Sequence, residues 1–399
     1  HALDQSLLDL GFKSYTEPGN LWNMFMLTTA LMLGTAGLPH VIVRFFTVPT
    51  VKDARISAGW ALVFIAIMYT TISSVASFSR INLIKNVQNV EYESFVNGES
   101  KNIDGSINNG KWFQTWENAN LIAWNDRNGD GKIQYASGVA FDAKGGKPTF
   151  DEMNRTKDGH KLTTNPKGTP DDYELRKGNG VVNELYVDED IMVLANPEIA
   201  NLPNWVIAFI AAGALAAALS TAAGLLLVIA SSISHDLMGQ IIYKDKETGR
   251  STLNEKTELM WARISAIVAV LIAGYLGINP PAFVAQVVAF AFGLAAAAFF
   301  PTIILGIFDK RMNKEGAITG IIVGLTFTFT YIVYFVFLDG DPKDYLLGVN
   351  PTGIGALGAL LHFIIAFVVS RMTPPPPEHI QELVERIRIP SGAGEALEH

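Results

Sequence analysis

Seven long apolar segments with almost no charge constrain what this chain can fold into. About twenty apolar residues in helical conformation cross a hydrocarbon layer roughly 30 Å thick. Backbone polar groups in that layer must be hydrogen-bonded within the protein, so each segment is expected to form a helix. The segments are approximately 21–46, 59–78, 205–233, 264–278, 283–308, 317–338 and 353–369. The sequence therefore predicts an all-α, multi-pass membrane protein that lies in lipid.

Charge in the connecting loops predicts how the segments are oriented. Lys and Arg concentrate in cytoplasmic loops, and every second connection is basic in this sequence. The basic residues are Lys52 with Arg44 and Arg55; Lys244, Lys246, Arg250, Lys256 and Arg263; and Lys310, Arg311 and Lys314. The connections 279–282 and 339–350 are uncharged and acidic, respectively. We expect a cytoplasmic (inner) membrane protein with its C-terminus in the cytoplasm and its polar insert outside.

Composition divides the chain into four parts and excludes two function classes. The predicted parts are an N-terminal polar segment with two spans (1–81), an extracytoplasmic insert (82–203), five spans (204–372) and a cytoplasmic tail (373–399). No basic cluster indicates a nucleic-acid partner. No nucleophile–base pair, HExxH sequence or phosphate-binding loop indicates an enzyme. The chain begins at His1 and not at Met, so we expect the natural protein to start earlier.

The first apolar segment contains residues that interrupt a helix. Pro39 cannot donate to the helical ladder, and Gly34 and Gly37 weaken that ladder further. Discontinuous helices supply substrate and ion sites in secondary transporters. The candidate substrate-facing residues are Thr35, Gly37, Pro39 and His40. The alternative is a kink that serves packing, and His40 could likewise be a packing residue or a proton relay.

The third predicted span carries two adjacent hydroxyl side chains, Ser220 and Thr221. Hydroxyl and carbonyl oxygens are hard ligands that suit an alkali cation. The alternative is a hydroxyl that bonds to the preceding turn or to a neighbouring helix. The residues by themselves leave both interpretations open.

Two stretches of this sequence closely resemble the sodium:solute symporter family, specifically its acetate-permease-like branch. They are GTAGLPHVIVRFFTVPTVKDAR (34–55) and AAALSTAAGLLLVIASSISHDL (216–237). The resemblance extends over most of the apolar chain and the tail. It implies a leucine-transporter-like fold of two inverted five-helix repeats. This chain would hold the second repeat and two additional helices, while the first repeat would lie upstream of His1 or on another polypeptide.

The resemblance also implies roles for individual residues. Sodium would be bound by the Ala217 carbonyl and the Ser220 and Thr221 hydroxyls, and the interrupted span would face the substrate. The expected function is symport, in which Na⁺ drives uptake of a small carboxylate such as acetate. A small two-helix companion subunit is a further expected partner. The alternatives are a non-transporting sensor or structural subunit on the same scaffold, and a channel, although spans lined with Ala and Phe do not favour a continuous polar pore.

The polar insert contains the opening of an EF-hand-type calcium loop, with the pattern D-x-N-x-D-G-x-I. The candidate Ca²⁺ ligands are Asp126, Asn128, Asp130 and, through its carbonyl, Lys132. Position twelve of such a loop normally supplies a bidentate Glu, but here it is Ser137. Asp142 is a candidate substitute for that carboxylate. A plain Asx/Gly turn is the alternative to a calcium site.

Overall fold

The computed structural model describes residues 2–14, 17, 19–43, 47–100, 109–143, 146–155, 161–170, 181–245, 251–338 and 340–387. Two compact units are present. The first contains His1–Pro18 and Arg55–Ser220, and the second contains Gly19–Ala54 and Thr221–His399.

The described helices are numbered in chain order. They are α1 (Ala2–Asp9), α2 (Leu21–Gly37), α3 (Pro39–Ile42), α4 (Val51–Val87), α5 (Tyr92–Val96), α6 (Lys111–Asn118), α7 (Met192–Ile199), α8 (Asn204–Ser231), α9 (Glu255–Ile278), α10 (Val284–Ala298), α11 (Phe300–Phe308), α12 (Lys314–Ile332), α13 (Gly355–Met372) and α14 (Glu378–Arg386). The wider-wound segments Ser232–Ile242 and Val333–Phe337 continue α8 and α12. Short 3₁₀ turns lie at Glu189–Ile191, Pro342–Asp344 and Leu346–Gly348.

Six helical stretches in the described chain are long and apolar enough to cross a membrane. They are Val51–Val87, Asn204–Ile242, Glu255–Ile278, Val284–Phe308, Lys314–Phe337 and Gly355–Met372. This confirms a mostly helical, multi-pass membrane protein. The predicted segment 21–46 is not among the six because α2 ends after 17 residues. A helix of that length spans roughly 26 Å, which is slightly less than the hydrocarbon layer.

Several helices extend beyond the apolar segments from which they were predicted. Lys52 and Arg55 lie inside α4, and Lys256 and Arg263 lie inside α9, so none of the four is a loop residue. The physical reason is that hydropathy marks only the part of a helix in hydrocarbon, and charged side chains reach water from the remaining turns. Four other charged residues used for the orientation lie outside the described residues: Arg44, Lys246, Arg250 and Asp339.

The insert between α4 and α8 folds around a small aromatic core. Its strands are β1 (Val90–Glu91), β2 (Ile122–Trp124), β3 (Lys132–Ile133), β4 (Phe150–Arg155), β5 (Lys161–Thr163) and β6 (Leu185–Val187). They pair antiparallel as β1–β3, β2–β6 and β4–β5. The Tyr92 ring stacks on Trp124 at 4.7 Å between centroids and meets Phe113 edge-on. The insert thus contains short strands as well as helices. The strands bury apolar residues against helices α5 and α6.

The N-terminal segment packs on the same insert. Leu7 and Leu10 are buried with Ile84 of α4, and the Ser137 backbone N–H donates to the Leu10 carbonyl at 3.0 Å. The Arg80 guanidinium lies 4.6 Å from the centre of the Phe12 ring. This polar segment thus belongs structurally with the insert.

In the second unit, α10 and α13 lie at the centre of a helix bundle with α2, α11 and α12. Small residues line the close crossings. The Gly355 backbone meets Gly293 of α10, and Gly358 faces Ala297 and Thr328. Without a side chain at these points, helix backbones approach closely and gain van der Waals contact, which is how helices associate in lipid.

Candidate functional site

Helix α2 is interrupted where the sequence predicts a break. It ends at Gly37, Leu38 has extended backbone angles (φ −75°, ψ 119°), and α3 begins at Pro39. Pro39 has no N–H, and its ring disfavours the helical conformation of the residue that precedes it. The extended conformation of Leu38 is therefore the one that a following proline favours.

Packing explains the two glycines on the α2 side of the break. A β-carbon at Gly34 would collide with the Phe292 carbonyl of α10. A β-carbon at Gly37 would lie 3.0 Å from both the Ala295 carbonyl and the Phe300 amide nitrogen, where α10 meets α11. Gly37 is buried, so its α-carbon faces a neighbouring backbone, as the packing alternative expects.

The other residues near the break have different surroundings. Thr35 is exposed, and its hydroxyl donates to the Leu31 carbonyl at 2.8 Å. Pro39 and His40 are partly buried. Of the four candidate substrate-facing residues, Thr35, Pro39 and His40 therefore retain accessible surface, whereas Gly37 is covered by α10 and α11.

The proposed sodium ligands lie within one turn of α8. Residues 217, 220 and 221 are spaced i, i+3 and i+4, which places them on one helix face. Every residue from 211 to 223 is exposed, so within the described chain no other segment covers this face. The three residues share this helix face, and sodium binding in a cavity around them stays a prediction.

A buried histidine of α13, which the sequence analysis did not single out, lies at the centre of the bundle. His362 is 0% exposed. Its Nδ1 lies 2.7 Å from the Ala297 carbonyl, and its Nε2 lies 3.0 Å from the Thr302 hydroxyl. The sequence does contain a signal for the close helix contact around this histidine. Gly316, Gly320 and Gly324 recur at every fourth residue of α12, which is typical of a helix–helix contact.

The calcium-like loop of the insert has its carboxylates at the turn. Asp126 accepts hydrogen bonds from the Gly129 and Gly131 amides, at 2.7 and 3.0 Å. Asp130 accepts from the Lys132 amide at 2.8 Å. These are the local bonds that an Asx turn makes. The loop thus has the hydrogen bonds of the Asx/Gly turn, and calcium binding by it stays a prediction.

A residue from outside the loop supplies a third carboxylate. Ligand oxygens of Asp126, Asp130 and Glu184 all lie within 4.8 Å of one another. Asp142 is not part of this group, which corrects the prediction that it could replace the missing position-twelve carboxylate. Its backbone is instead held at 3.0 Å from Asn165. Glu184 could not be identified from the sequence pattern because it lies 57 residues after Arg127.

Glu184 is fully buried, with 0% of its surface exposed. The pKa of its carboxyl is raised to about 7, mainly by burial and to a smaller extent by the charges of Asp126 and Asp130. Hydrogen bonds from the Arg127 and Asn128 amides, at 2.9 and 3.1 Å, oppose that rise in pKa. Three acidic groups thus lie close together, and one of them is buried.

The spanning helices, their small-residue crossings and the interrupted helix together define a multi-pass integral membrane protein. Residues 187–324 match the model of the sodium:solute symporter family. An uncharacterized symporter of Cupriavidus necator is 30% identical over 372 residues, which is 92% of this chain and 44% of that protein. A monocarboxylic acid transporter of Corynebacterium glutamicum is 25% identical over 381 residues, which is 93% of this chain and 50% of that protein.

By these matches the chain is similar to the sodium:solute symporter family, whose model covers residues 187–324. These matches confirm the resemblance to that family, and residues 216–237 lie within the range that the family model covers. The chain spans about half the length of the curated relatives that it matches. No solved structure matches it.

Proposed function

We propose that the protein containing this chain couples inward movement of Na⁺ to uptake of a short monocarboxylate such as acetate. The family match supports symport and Na⁺ as the coupling ion. The relative named a monocarboxylic acid transporter favours a carboxylate substrate. Because the chain spans about half of these relatives, coupling and substrate are proposals about the whole protein.

The polar turn of α8 carries this proposal. Between Trp205 and Ala230, Ser220 and Thr221 are the only hydroxyl-bearing or charged residues. They follow the Ala217 carbonyl by one turn, so three oxygen atoms lie on one face of an otherwise apolar helix. Such oxygens suit a weakly held alkali cation. Since the face is exposed, we propose that a segment covering it supplies the remaining ligands.

The break at Leu38 supports a substrate site at the interruption between α2 and α3. Interrupted helices form substrate and ion sites in secondary transporters. We propose Thr35, Pro39 and His40 as substrate-facing residues. Gly37 is left out because the backbone of α10 and α11 covers it.

Reconstitution in liposomes tests the sodium assignment. In the intact protein, Thr221→Ala removes one oxygen ligand worth about 1–2 kcal/mol, which should raise the half-saturating Na⁺ concentration roughly tenfold. Thr70→Ala is a matched control, because Thr70 is exposed in the spanning helix α4 and bonds only its own helix. Unchanged sodium dependence in Thr221→Ala would remove Thr221 from the site.

A second variant separates substrate binding from sodium binding. We expect His40→Gln to raise the half-saturating acetate concentration and to leave the sodium dependence as in the wild type. A change in both parameters to the same extent would contradict a substrate-facing role for His40. Acetate accumulation against its gradient distinguishes a symporter from a sensor or a channel.

We further propose that the insert faces the outside and the C-terminal tail faces the cytoplasm of the inner membrane. The charge of the connections supports this orientation: Lys310 and Arg311 follow α11, whereas 279–282 is uncharged. A small two-helix companion subunit is proposed from the family resemblance, and co-purification of such a protein would test it.

A further inference from the structure

The insert contains a site of three carboxylates that come from two separate segments of the chain. Asp126 and Asp130 belong to the loop before β3, and Glu184 immediately precedes β6. The two segments are joined through the backbone. Asn125 donates to the Glu184 carbonyl at 2.8 Å, and Glu184 donates to the Gln134 carbonyl at 2.9 Å. The Glu184 side chain is thereby fixed over the loop.

The two oxygens of Glu184 have different surroundings. Oε1 accepts the Arg127 and Asn128 amides. Oε2 is buried and accepts no hydrogen bond from the described residues. A buried carboxylate oxygen without a partner is costly. One carboxylate oxygen from each of Asp126, Asp130 and Glu184 lies within 4.8 Å of the other two. The arrangement therefore favours a cation that all three carboxylates can share.

We propose that Asp126, Asp130 and Glu184 bind Ca²⁺, with Glu184 supplying the carboxylate that Ser137 cannot provide at position twelve. The Asn128 side chain and the Lys132 carbonyl belong to the same loop and complete an oxygen ligand set. Ca²⁺ accepts irregular sets of six to eight oxygens, whereas Mg²⁺ requires a near-ideal octahedron. Calcium is therefore the ion that fits ligands contributed by two segments.

The bound ion would connect the loop to β6. The Asn125–Glu184 and Gln134–Glu184 backbone hydrogen bonds already join these two segments, and the ion would add a link between their side chains. Sites of this kind in extracellular modules bind Ca²⁺ with a dissociation constant on the order of 0.1–1 mM. At an ion concentration one hundred times the dissociation constant, local opening becomes about one hundred times rarer.

The test uses the purified full chain in detergent, with CaCl₂ or MgCl₂ as the added ligand. Isothermal titration calorimetry measures binding, and amide hydrogen exchange of 125–135 and 182–187 measures local opening. We expect Ca²⁺ to bind in the stated range, to slow exchange in both segments, and to bind at least tenfold more tightly than Mg²⁺.

Three variants identify the ligands. Glu184→Gln keeps an oxygen for the Arg127 and Asn128 amides but removes the charge, and we expect at least tenfold weaker Ca²⁺ binding. Asp130→Asn should weaken binding similarly, and Asp130 is exposed, so this variant keeps the test decisive if Glu184→Gln does not fold. Asp142→Asn is the matched control and should bind as the wild type does.

Several results would overturn the proposal. The first is that the wild type does not bind Ca²⁺ at up to 10 mM, which is about ten times the weakest expected dissociation constant. The second is that Asp130→Asn, or folded Glu184→Gln, binds Ca²⁺ with wild-type affinity. The third is that the wild type binds Ca²⁺ and Mg²⁺ with equal affinity.

Discussion

Replacing Gly320 with Ala tests whether the His362 ring is held rigidly in the bundle. A β-carbon at Gly320 would lie 2.6 Å from His362 Nε2 and 2.9 Å from the Ala366 β-carbon. The ring cannot move aside freely, because Nδ1 is fixed 2.7 Å from the Ala297 carbonyl and Nε2 lies 3.0 Å from the Thr302 hydroxyl. The added methyl group must therefore displace a helix or break one of these hydrogen bonds.

The structure sets the size of the effect. Inserting a methyl group into a well-packed interior costs about 1–3 kcal/mol, and losing one interhelical hydrogen bond in a membrane costs about 0.6–1.7 kcal/mol. The higher helix propensity of Ala than of Gly offsets at most about 1 kcal/mol of this destabilisation. We expect Gly320→Ala to destabilise the protein by about 1–3 kcal/mol once these terms are combined.

A matched control and a double-mutant cycle isolate the contact with the ring. Gly274 lies in spanning helix α9, and a β-carbon there would meet nothing within 4 Å. Gly274→Ala should therefore be neutral or slightly stabilising. In a His362→Ala background the clash with the ring is gone, so Gly320→Ala should cost at least about 0.5–1 kcal/mol less than it does in the wild type.

Reversible unfolding in mixed SDS and dodecylmaltoside micelles, followed by circular dichroism, gives the free energies. The reasoning would be refuted if Gly320→Ala matched Gly274→Ala. It would also be refuted if the cost of Gly320→Ala were the same with and without His362, because the ring would then not be the obstacle.

Two further predictions concern the insert and the orientation of the chain. Burial raises the pKa of Glu117 from its ordinary value of 4.5 to about 7. The carboxyl group's contribution to stability is therefore complete below pH 4.5 and is lost as the pH rises through 7. Glu117→Gln should therefore slow amide exchange in α6 at pH 8 and have little effect near pH 4.5, whereas Glu93→Gln, at an exposed site, should do neither; an equal effect of Glu117→Gln at both pH values would contradict this. The 399 residues contain no cysteine, so Asn109→Cys should react with a membrane-impermeant maleimide in intact cells and His379→Cys only after permeabilisation, and the opposite pattern would reverse the proposed orientation.

Local chemistry accounts for the parts of the fold that could be predicted from sequence. Apolar segments of sufficient length indicated the six spanning helices, because hydrocarbon leaves a helix as the available structure. Pro39 located the break at Leu38 through its own covalent geometry. The helix ends were predicted less well. Charged residues such as Lys52 and Arg263 look like loop residues but continue the helices into the interfacial region.

The sequence by itself determined the spanning helices, the interruption of α2, the turn at Asp126 and the oxygen-bearing face at Ser220 and Thr221. All of these depend on residues within a few turns of one another. Only the tertiary structure decided that Gly37 is covered by α10 and α11, that His362 bonds Ala297 and Thr302, and that Glu184 joins Asp126. Those contacts depend on which distant segments approach each other, and many distant Glu residues could have completed the same local pattern.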